Sequence, residues 1–465
     1  MAIDLSLYPM GDTIAALSTP PGRGAIAIVR MSGPDAFSIF TKITRCDARP
    51  TPRHLFRVKL YHPTEGYLLD DALGVLFPKP GSYTGEDLVE FHLHGSPPII
   101  QSVLEVLQTL GARPAEPGEF TYRAFVHGKM DLTEAEAVND LIRADSIWSA
   151  RTALQQMEGQ LKHQVQAWRE NLLELIAHLE ADIDFGDAEM TQFSQPDWIV
   201  HRCIELIRRL DHILTTYETG RALREGFRIV IVGRPNAGKS SLFNRMLGTE
   251  RAIVTEIPGT TRDFITEKII VDGMTLELVD TAGLRSDAEY IERLGIEQTH
   301  RKLEEADLIF WVIDRSRPLA STEDEIYAKI KDRTPWIIIN KIDRPPAWDT
   351  ESILEKFQPA QWFAVSCHTG QGFDRLEKDL RKTLAGYRER ATTEPVLITS
   401  MRHREALSQA RGHLKVTADL VREGHPLPIV LEEAHAALRQ LDRLTGMTDV
   451  EEILERIFRR FCIGK

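Results

Sequence analysis

The run Gly233-Arg234-Pro235-Asn236-Ala237-Gly238-Lys239-Ser240 constrains this chain more than any other stretch. It fits G-x-x-x-x-G-K-[ST] in the context that pattern requires. Before it, Phe227-Arg228-Ile229-Val230-Ile231-Val232 is a β-branched run of buried-strand type. After it, Ser241-Leu242-Phe243-Asn244-Arg245-Met246-Leu247 has the apolar spacing of a helix. Strand, glycine loop and helix predict an α/β domain whose backbone N–H groups close around phosphate oxygens at a positive helix end. In such a loop Lys239 reaches the β- and γ-phosphates and the Ser240 hydroxyl binds Mg²⁺. Nucleotide contacts are therefore expected along Asn236, Ala237, Gly238, Lys239, Ser240 and Ser241.

Three further pieces follow in the order a GTP-binding domain requires. In Gly259-Thr260-Thr261-Arg262-Asp263, Thr261 can close onto Mg²⁺ and the γ-phosphate. Asp280-Thr281-Ala282-Gly283 ends the strand Leu276-Glu277-Leu278-Val279. There Asp280 can hold the metal's water shell, and the Gly283 N–H can meet the γ-phosphate. Asn340-Lys341-Ile342-Asp343 follows the strand Trp336-Ile337-Ile338-Ile339. Asp343 can accept from the guanine N1–H and 2-amino group; adenine lacks both donors and would leave a carboxylate unpaired. Ser366-Cys367-His368 falls where a backbone N–H would meet the guanine O6. The ordered set predicts GTP as ligand. Leu284 stands where small signalling GTPases place a water-orienting glutamine. Leucine cannot orient water, so the site needs another polar group or an outside contribution; Glu289 and Glu292 are the nearby carboxylates, or these two belong to a solvated acidic segment.

The remaining chain is too long for one core: 465 residues suggest about three domains. A net charge of −12 argues against an overall basic, nucleic-acid-coating surface, though not against a local basic patch or a basic partner that holds the nucleic acid. The four cysteines, Cys46, Cys203, Cys367 and Cys462, lack metal or disulfide spacing and fit a reduced cytosol. Met1-Ala2-Ile3-Asp4-Leu5 has no signal-peptide pattern and no run approaches the length of a membrane span, so a cytoplasmic protein is expected.

Residues 13–117 read as an α+β domain, with strands Ala25-Ile26-Ala27-Ile28-Val29-Arg30, Leu55-Phe56-Arg57-Val58-Lys59-Leu60 and Asp87-Leu88-Val89-Glu90-Phe91-His92-Leu93, and one helix over 99–110. His92 and His94 share a strand face, as metal ligands can, or as any half-buried strand arranges them. Thr133 with Glu136 fits a capping box that opens a helical run toward Leu179. Leu154, Met157, Leu161, Val165, Trp168, Leu172, Leu175 and Leu179 step by three and four, the stripe of a bundle core. Further helices are expected over 198–216, 400–422, 428–446 and 450–461. Helical blocks on both sides of an α/β block suggest one bundle with a domain inserted into it.

Besides the nucleotide motifs, the chain carries Pro20-Pro21-Gly22-Arg23-Gly24, Tyr83-Thr84-Gly85-Glu86-Asp87, Pro117-Gly118-Glu119-Phe120-Thr121 and Lys129-Met130-Asp131-Leu132-Thr133-Glu134-Ala135-Glu136-Ala137. It ends on Cys462-Ile463-Gly464-Lys465. With these residues it resembles, over essentially its whole length, the MnmE (TrmE) family of tRNA-modification GTPases. The resemblance implies a multidomain chain. Residues 1–120 would form an N-terminal α+β folate-binding and dimerisation domain. An α-helical bundle domain would comprise 121–220 and 389–465, with an inserted α/β P-loop G domain over 221–388. It implies a tetrahydrofolate derivative (5-formyl-like) bound at Arg30, Glu90, Lys129 and Lys465. It also implies K⁺ at Asn236, Thr255, Ile257 and Thr260, within a nucleotide-lining segment of Thr255, Glu256, Ile257, Pro258, Gly259 and Thr260. Glu292 matches the family's catalytic glutamate. The implied activity is GTP hydrolysis by a homodimer. With the FAD-dependent partner MnmG, it would be coupled to adding an aminomethyl or carboxymethylaminomethyl group at C5 of the wobble uridine of certain tRNAs. Cys367 replaces the alanine usual after Ser366, and Ser96 falls where glycine is frequent. A ribosome-assembly or regulatory GTPase switch would need no folate pocket, and a folate-dependent methyltransferase would act without MnmG.

Overall fold

Period-two alternation builds the first sheet. The computed structural model describes residues 8–46, 50–185, 195–249, 265–280, 303–447 and 451–465. These divide into two compact units, Met1–Asn139 with Gln156–Leu210 and Glu405–Lys465, and Asp140–Gln155 with Asp211–Arg404. The first unit contains β1 (Ile14–Leu17), β2 (Gly24–Ser32), β3 (Phe56–Tyr61), β4 (Leu68–Phe77), β5 (Leu88–Gly95) and β6 (Arg113–Pro114), in the order β3-β4-β5-β2-β1-β6. Pairing is antiparallel except between β1 and β6. Val29, Met31, Val89, Phe91 and Leu93 point to one face, where they share a core with Ile39 and Phe40 of helix Ala36–Thr44 and Val103 and Val106 of helix Pro97–Thr109. Each such fully buried side chain contributes about 1.5–3 kcal/mol. The register Arg30↔Glu90 then sends those two side chains, with His92 and His94, to the opposite face.

The capping box and the helical run toward Leu179 need correction, and β4 joins the sheet. His94 Nδ1 and backbone N–H both engage Asp70, at 2.6 and 2.9 Å, so this histidine is seated by a carboxylate of β4. The strand β4 escaped the sequence reading because Asp70-Asp71 interrupts its apolar pattern, yet Asp70 is buried. The capping box lies two residues earlier than expected. Helix Leu132–Ile142 is capped by Asp131, whose Oδ1 accepts from the Glu134 N–H at 2.8 Å while Glu134 Oε2 accepts from the Asp131 N–H at 2.7 Å. Thr133 donates its hydroxyl to Asp131 instead of capping. An aspartate cap is favoured over a threonine one, and here it starts the helix two residues earlier. The apolar stripe is likewise not one helix. It divides between Ile147–Met157 and Gln160–Phe185, and Leu154 and Met157 are 47% and 36% exposed, whereas Leu161, Val165, Trp168, Leu172, Leu175 and Leu179 are buried.

Helices from both sides of the α/β block form one bundle. Helix Gln160–Phe185 meets Pro196–Leu214 through His178 against Trp198 and the Arg202–Glu174 ion pair. It meets Leu427–Thr445 through Arg169 Nε to Asp442 Oδ1 at 2.6 Å, and that helix holds Met401–Arg422 through Glu433 and His413. Among the described residues no helix is long and apolar enough to cross a membrane.

In the second unit β7 (Phe227–Gly233), β8 (Ile265–Val271), β9 (Met274–Asp280), β10 (Leu308–Asp314), β11 (Trp336–Asn340) and β12 (Gln361–Ala364) take the order β12-β11-β10-β7-β9-β8. All neighbours are parallel except β8 with β9. Ile229 and Ile231 enter one core and Val230 and Val232 another, which is why β7 is apolar without alternation. The segments leading into and out of this unit touch, since Thr216 Oγ1 accepts from the Ile398 N–H at 3.1 Å. The carboxyl ends of β7, β9, β10 and β11 gather along one sheet edge, the usual ligand crevice of a doubly wound fold.

Candidate active site

Two of the strand ends make the phosphate side. After β7 the chain turns through Asn236, at φ 65°, and Gly238, at φ 103°, into helix Lys239–Thr249. A Cβ on Gly238 would stand 2.1 Å from Asn340 Nδ2, so this position excludes every other residue. Lys239 is only 7% exposed, and its Nζ donates to the carbonyls of Gly233 and Arg234 at 2.9 and 3.0 Å, which puts the ammonium inside the loop. The register Ile231↔Asp280 lays the end of β9 beside the loop. There the Ser240 hydroxyl donates to Asp280 Oδ2 at 2.8 Å. A hydroxyl and a carboxylate oxygen side by side at a helix start are the hard-oxygen donors a Mg²⁺ ion takes.

The base side is built from β11 and the loops beyond it. Asn340 is 1% exposed and ties three segments together. Its Nδ2 donates to Ala237 O at 2.9 Å, and its Oδ1 accepts from the N–H groups of Lys341 at 2.8 Å and Cys367 at 3.2 Å. Lys341 extends across to the phosphate loop, donating to Asn236 O at 2.7 Å. Asp343 is held at Oδ1 by the Ser366 hydroxyl at 2.6 Å, and that bond keeps its carboxyl below the usual carboxylate range. Burial pushes the Cys367 thiol up to about 11, so the residue is a neutral neighbour of the pocket at pH 7. The sequence reading missed Asp314, whose Oδ2 receives Lys341 Nζ at 2.6 Å. The available signal was its place: it ends an apolar strand just as Asp280 and Asn340 do.

A second cluster lies in the other unit. Arg30 Nε donates to Glu90 Oε1 at 2.8 Å, and the Tyr83 and Phe120 rings lie 5.5 and 5.7 Å from the Arg30 guanidinium carbon. Lys465 comes to this place from the far end of the chain. Phe120 N–H donates to Lys465 O at 3.2 Å, and the Ser18 hydroxyl donates to Gly464 O at 3.0 Å. Burial first, and then the Arg30 charge, push the Lys465 ammonium below the usual lysine range, with Glu90 opposing. Lys129 is not joined to this cluster by a contact among the described residues; its Nζ donates to Pro80 O at 3.0 Å. A guanidinium fork, a carboxylate, an ammonium and two rings suit a flat heterocycle with donor and acceptor edges.

Residues 132–462 match the model of the MnmE helical domain, and residues 13–129 match that of the GTP-binding protein TrmE N-terminus. The tRNA modification GTPases MnmE of Thermotoga petrophila and Thermotoga maritima are each 40% identical to this chain over 456 residues, spanning 98% of it and 100% of their own length. That of Aquifex aeolicus is 39% identical over 457 residues. The chain belongs to the MnmE family.

As an MnmE-family protein it is a GTP hydrolase, with an N-terminal α+β domain, a helical domain and an inserted P-loop domain. Within that frame the sequence motifs acquire structural reasons. Pro117-Gly118-Glu119-Phe120-Thr121 receives the tail: Gly118 and Phe120 offer N–H groups to it, and buried Glu119 accepts from Arg113 at 2.6 Å and Arg123 at 3.1 Å. Tyr83 of the second motif is fastened to the same segment through Thr121 Oγ1 at 2.9 Å. Thr255, Glu256, Ile257, Pro258, Gly259, Thr260, Thr261, Thr281, Ala282, Gly283, Leu284, Glu289 and Glu292 lie outside the described residues.

Proposed function

We propose that this MnmE-family GTPase couples Mg²⁺-dependent GTP hydrolysis to C5 modification of the wobble uridine of certain tRNAs, in the cytoplasm, as a homodimer working with MnmG. The family assignment over 98% of the chain supports the tRNA role. Guanine selection rests on Asp343, whose carboxylate is pre-set by Ser366 and kept ionised, so that it can accept the two adjacent donors that guanine alone offers. Lys239 balances phosphate charge from within the loop. Ser240, Asp280 and Thr261 would hold Mg²⁺, which would supply charge neutralisation at the γ-phosphate. Glu292 orients the attacking water in place of the glutamine that Leu284 displaces.

Asn236, with Thr255, Ile257 and Thr260 as further oxygen donors, would hold K⁺, which would supply the positive charge an arginine finger gives. Asn236 supports this reading by its left-handed turn on the loop itself, which leaves the residue exposed. A folate one-carbon unit is held by Arg30, Glu90, Lys129 and Lys465. The observation that carries the modification reading over a simple GTPase switch is the seating of the chain's last residue beside Arg30 and Glu90. A switch has no use for such a site.

The test is hydrolysis by the full chain in KCl and in NaCl at equal ionic strength, beside reconstituted tRNA modification with and without MnmG. K⁺ should raise the rate by several decades or somewhat less, as an arginine finger gives about 10³–10⁵, and Asn236→Ala should lose that gain. Equal rates in both salts would remove the K⁺ role. Unmodified wobble uridines in the complete mixture, read by mass spectrometry, would remove the modification role.

A further inference from the structure

We propose that Asp314 is a positioning residue for the guanine nucleotide, holding Lys341 as a strut between the base-reading loop and the phosphate loop; this rests on the nucleotide reading above. Asp314 closes β10 and stands in register with Asn340 at the end of β11. Its carboxylate is itself fixed before it meets the lysine. Oδ1 accepts from the Ser316 N–H at 2.9 Å and from the Ser316 hydroxyl at 2.7 Å, and the Asp314 carbonyl accepts from Trp348 Nε1 at 3.3 Å. The other oxygen, Oδ2, is then aimed at Lys341 Nζ, 2.6 Å away, with Arg317 Nε at 3.8 Å as the only other ion-pair partner among the described residues. The side chain is 9% exposed, so water competes weakly for this bond.

The same ammonium donates to Asn236 O at 2.7 Å. Both residues that the ammonium joins, Asn236 and Lys341, have φ 65°, a left-handed turn that asparagine takes readily and lysine only where its surroundings enforce it. One ammonium therefore links the two turns, one on each side of the nucleotide. Without Asp314 a lysine stem with four rotatable bonds would hang on a single carbonyl, and the phosphate loop and base loop would lose their common tether.

The experiment uses the full chain with fluorescent GDP and GTP analogues, together with steady-state hydrolysis. Asp314→Ala should raise Kd for both nucleotides about 10- to 100-fold, the range of one charge-assisted hydrogen bond. KM should rise with Kd by the same factor, and the rate gain from K⁺ over Na⁺ should shrink, because Lys341 no longer holds the Asn236 turn. Preference for GTP over xanthosine triphosphate should be unchanged, since Asp343 is intact. Asp314→Asn keeps an acceptor and should recover most of the affinity. Asp314→Ala in a Lys341→Ala background should cost nothing further, as expected for two residues acting through one contact. Wild-type Kd for Asp314→Ala, or losses that add in the double variant, would overturn the proposal. If Asp314→Ala does not fold, Asp314→Asn with and without Lys341→Ala gives the same cycle with a smaller first step. A wild-type chain that binds no guanine nucleotide would overturn the nucleotide reading instead.

Discussion

Asp343 carries guanine recognition through one feature, an ionised carboxylate held by a neighbouring hydroxyl. Its partner Ser366 donates at 2.6 Å to one oxygen, and the ionised carboxylate is an acceptor only. An amide at 343 would add a donor and lose acceptor strength. Asp343→Asn should therefore weaken GTP binding about 10²-fold and improve binding of xanthosine triphosphate, whose 2-oxo group can accept from the amide. Competition binding checks it, and an unchanged GTP preference would exclude Asp343 from reading the base. Asn340 is a different kind of residue: its Oδ1 and one Nδ2 hydrogen are engaged by protein groups and tie the pocket together, while an amide Nδ2 carries a second hydrogen.

At the level of elements, the site is a row of strand ends and the support is a set of capped helices. Parallel strands buried on both faces are mostly apolar along their length, and the polar Asp280, Asp314 and Asn340 stand where they stop, at one edge. Helix Leu132–Ile142 depends on the reciprocal pair Asp131 and Glu134, and Glu134 is further tied to Lys162 at 2.9 Å. Asp131→Ala should cost about 1–2 kcal/mol, the upper range for a lost cap, because the helix's N–H groups sit half-buried. Denaturant unfolding would measure it as a lower midpoint at unchanged slope. Thr133→Ala should cost less, since its hydroxyl only donates to Asp131; equal losses for the two would return the cap to Thr133.

Across the whole molecule, the last residues complete the first domain. Gly464 has φ 91°, and a Cβ there would stand 2.2 Å from Leu17 O, so the tail lies against β1 as bare backbone. Phe458 and Phe461 anchor it in a core with Tyr8, Tyr122 and Phe125. Removing residues 462–465 takes away Lys465 and the contacts to Gly118, Phe120 and Ser18 while leaving both phenylalanines. The truncated chain should fold and keep its affinity for GTP, because the nucleotide site belongs to the other unit. It should lose affinity for 5-formyltetrahydrofolate in calorimetry, by about 10-fold or more for a lost charged contact. Equal folate affinity in the full and truncated chains would remove Lys465 from the folate site.

The nucleotide motifs were legible by themselves, because a phosphate loop, a metal-side aspartate and a base-reading aspartate each depend on a few adjacent residues at a strand end. So were the strands of β7, β2 and β5 and most helices, whose periodicity is a local property. The choice of Asp131 over Thr133 as cap was not, since two acceptors two residues apart compete and the packing around Lys162 and Glu134 decides. Nor was β4, whose buried Asp70 is satisfied by the Asp71 N–H and by His94 from the neighbouring strand. Asp314 reads as an ordinary strand end until β10 and β11 are paired. The tail's meaning needed the fold most of all: Ser18 and Gly464 lie 446 positions apart, and only closure of the whole chain sets Lys465 near Arg30 and Glu90. Local chemistry is written in neighbouring residues; a site shared by the two ends of a chain exists only once the core between them has formed.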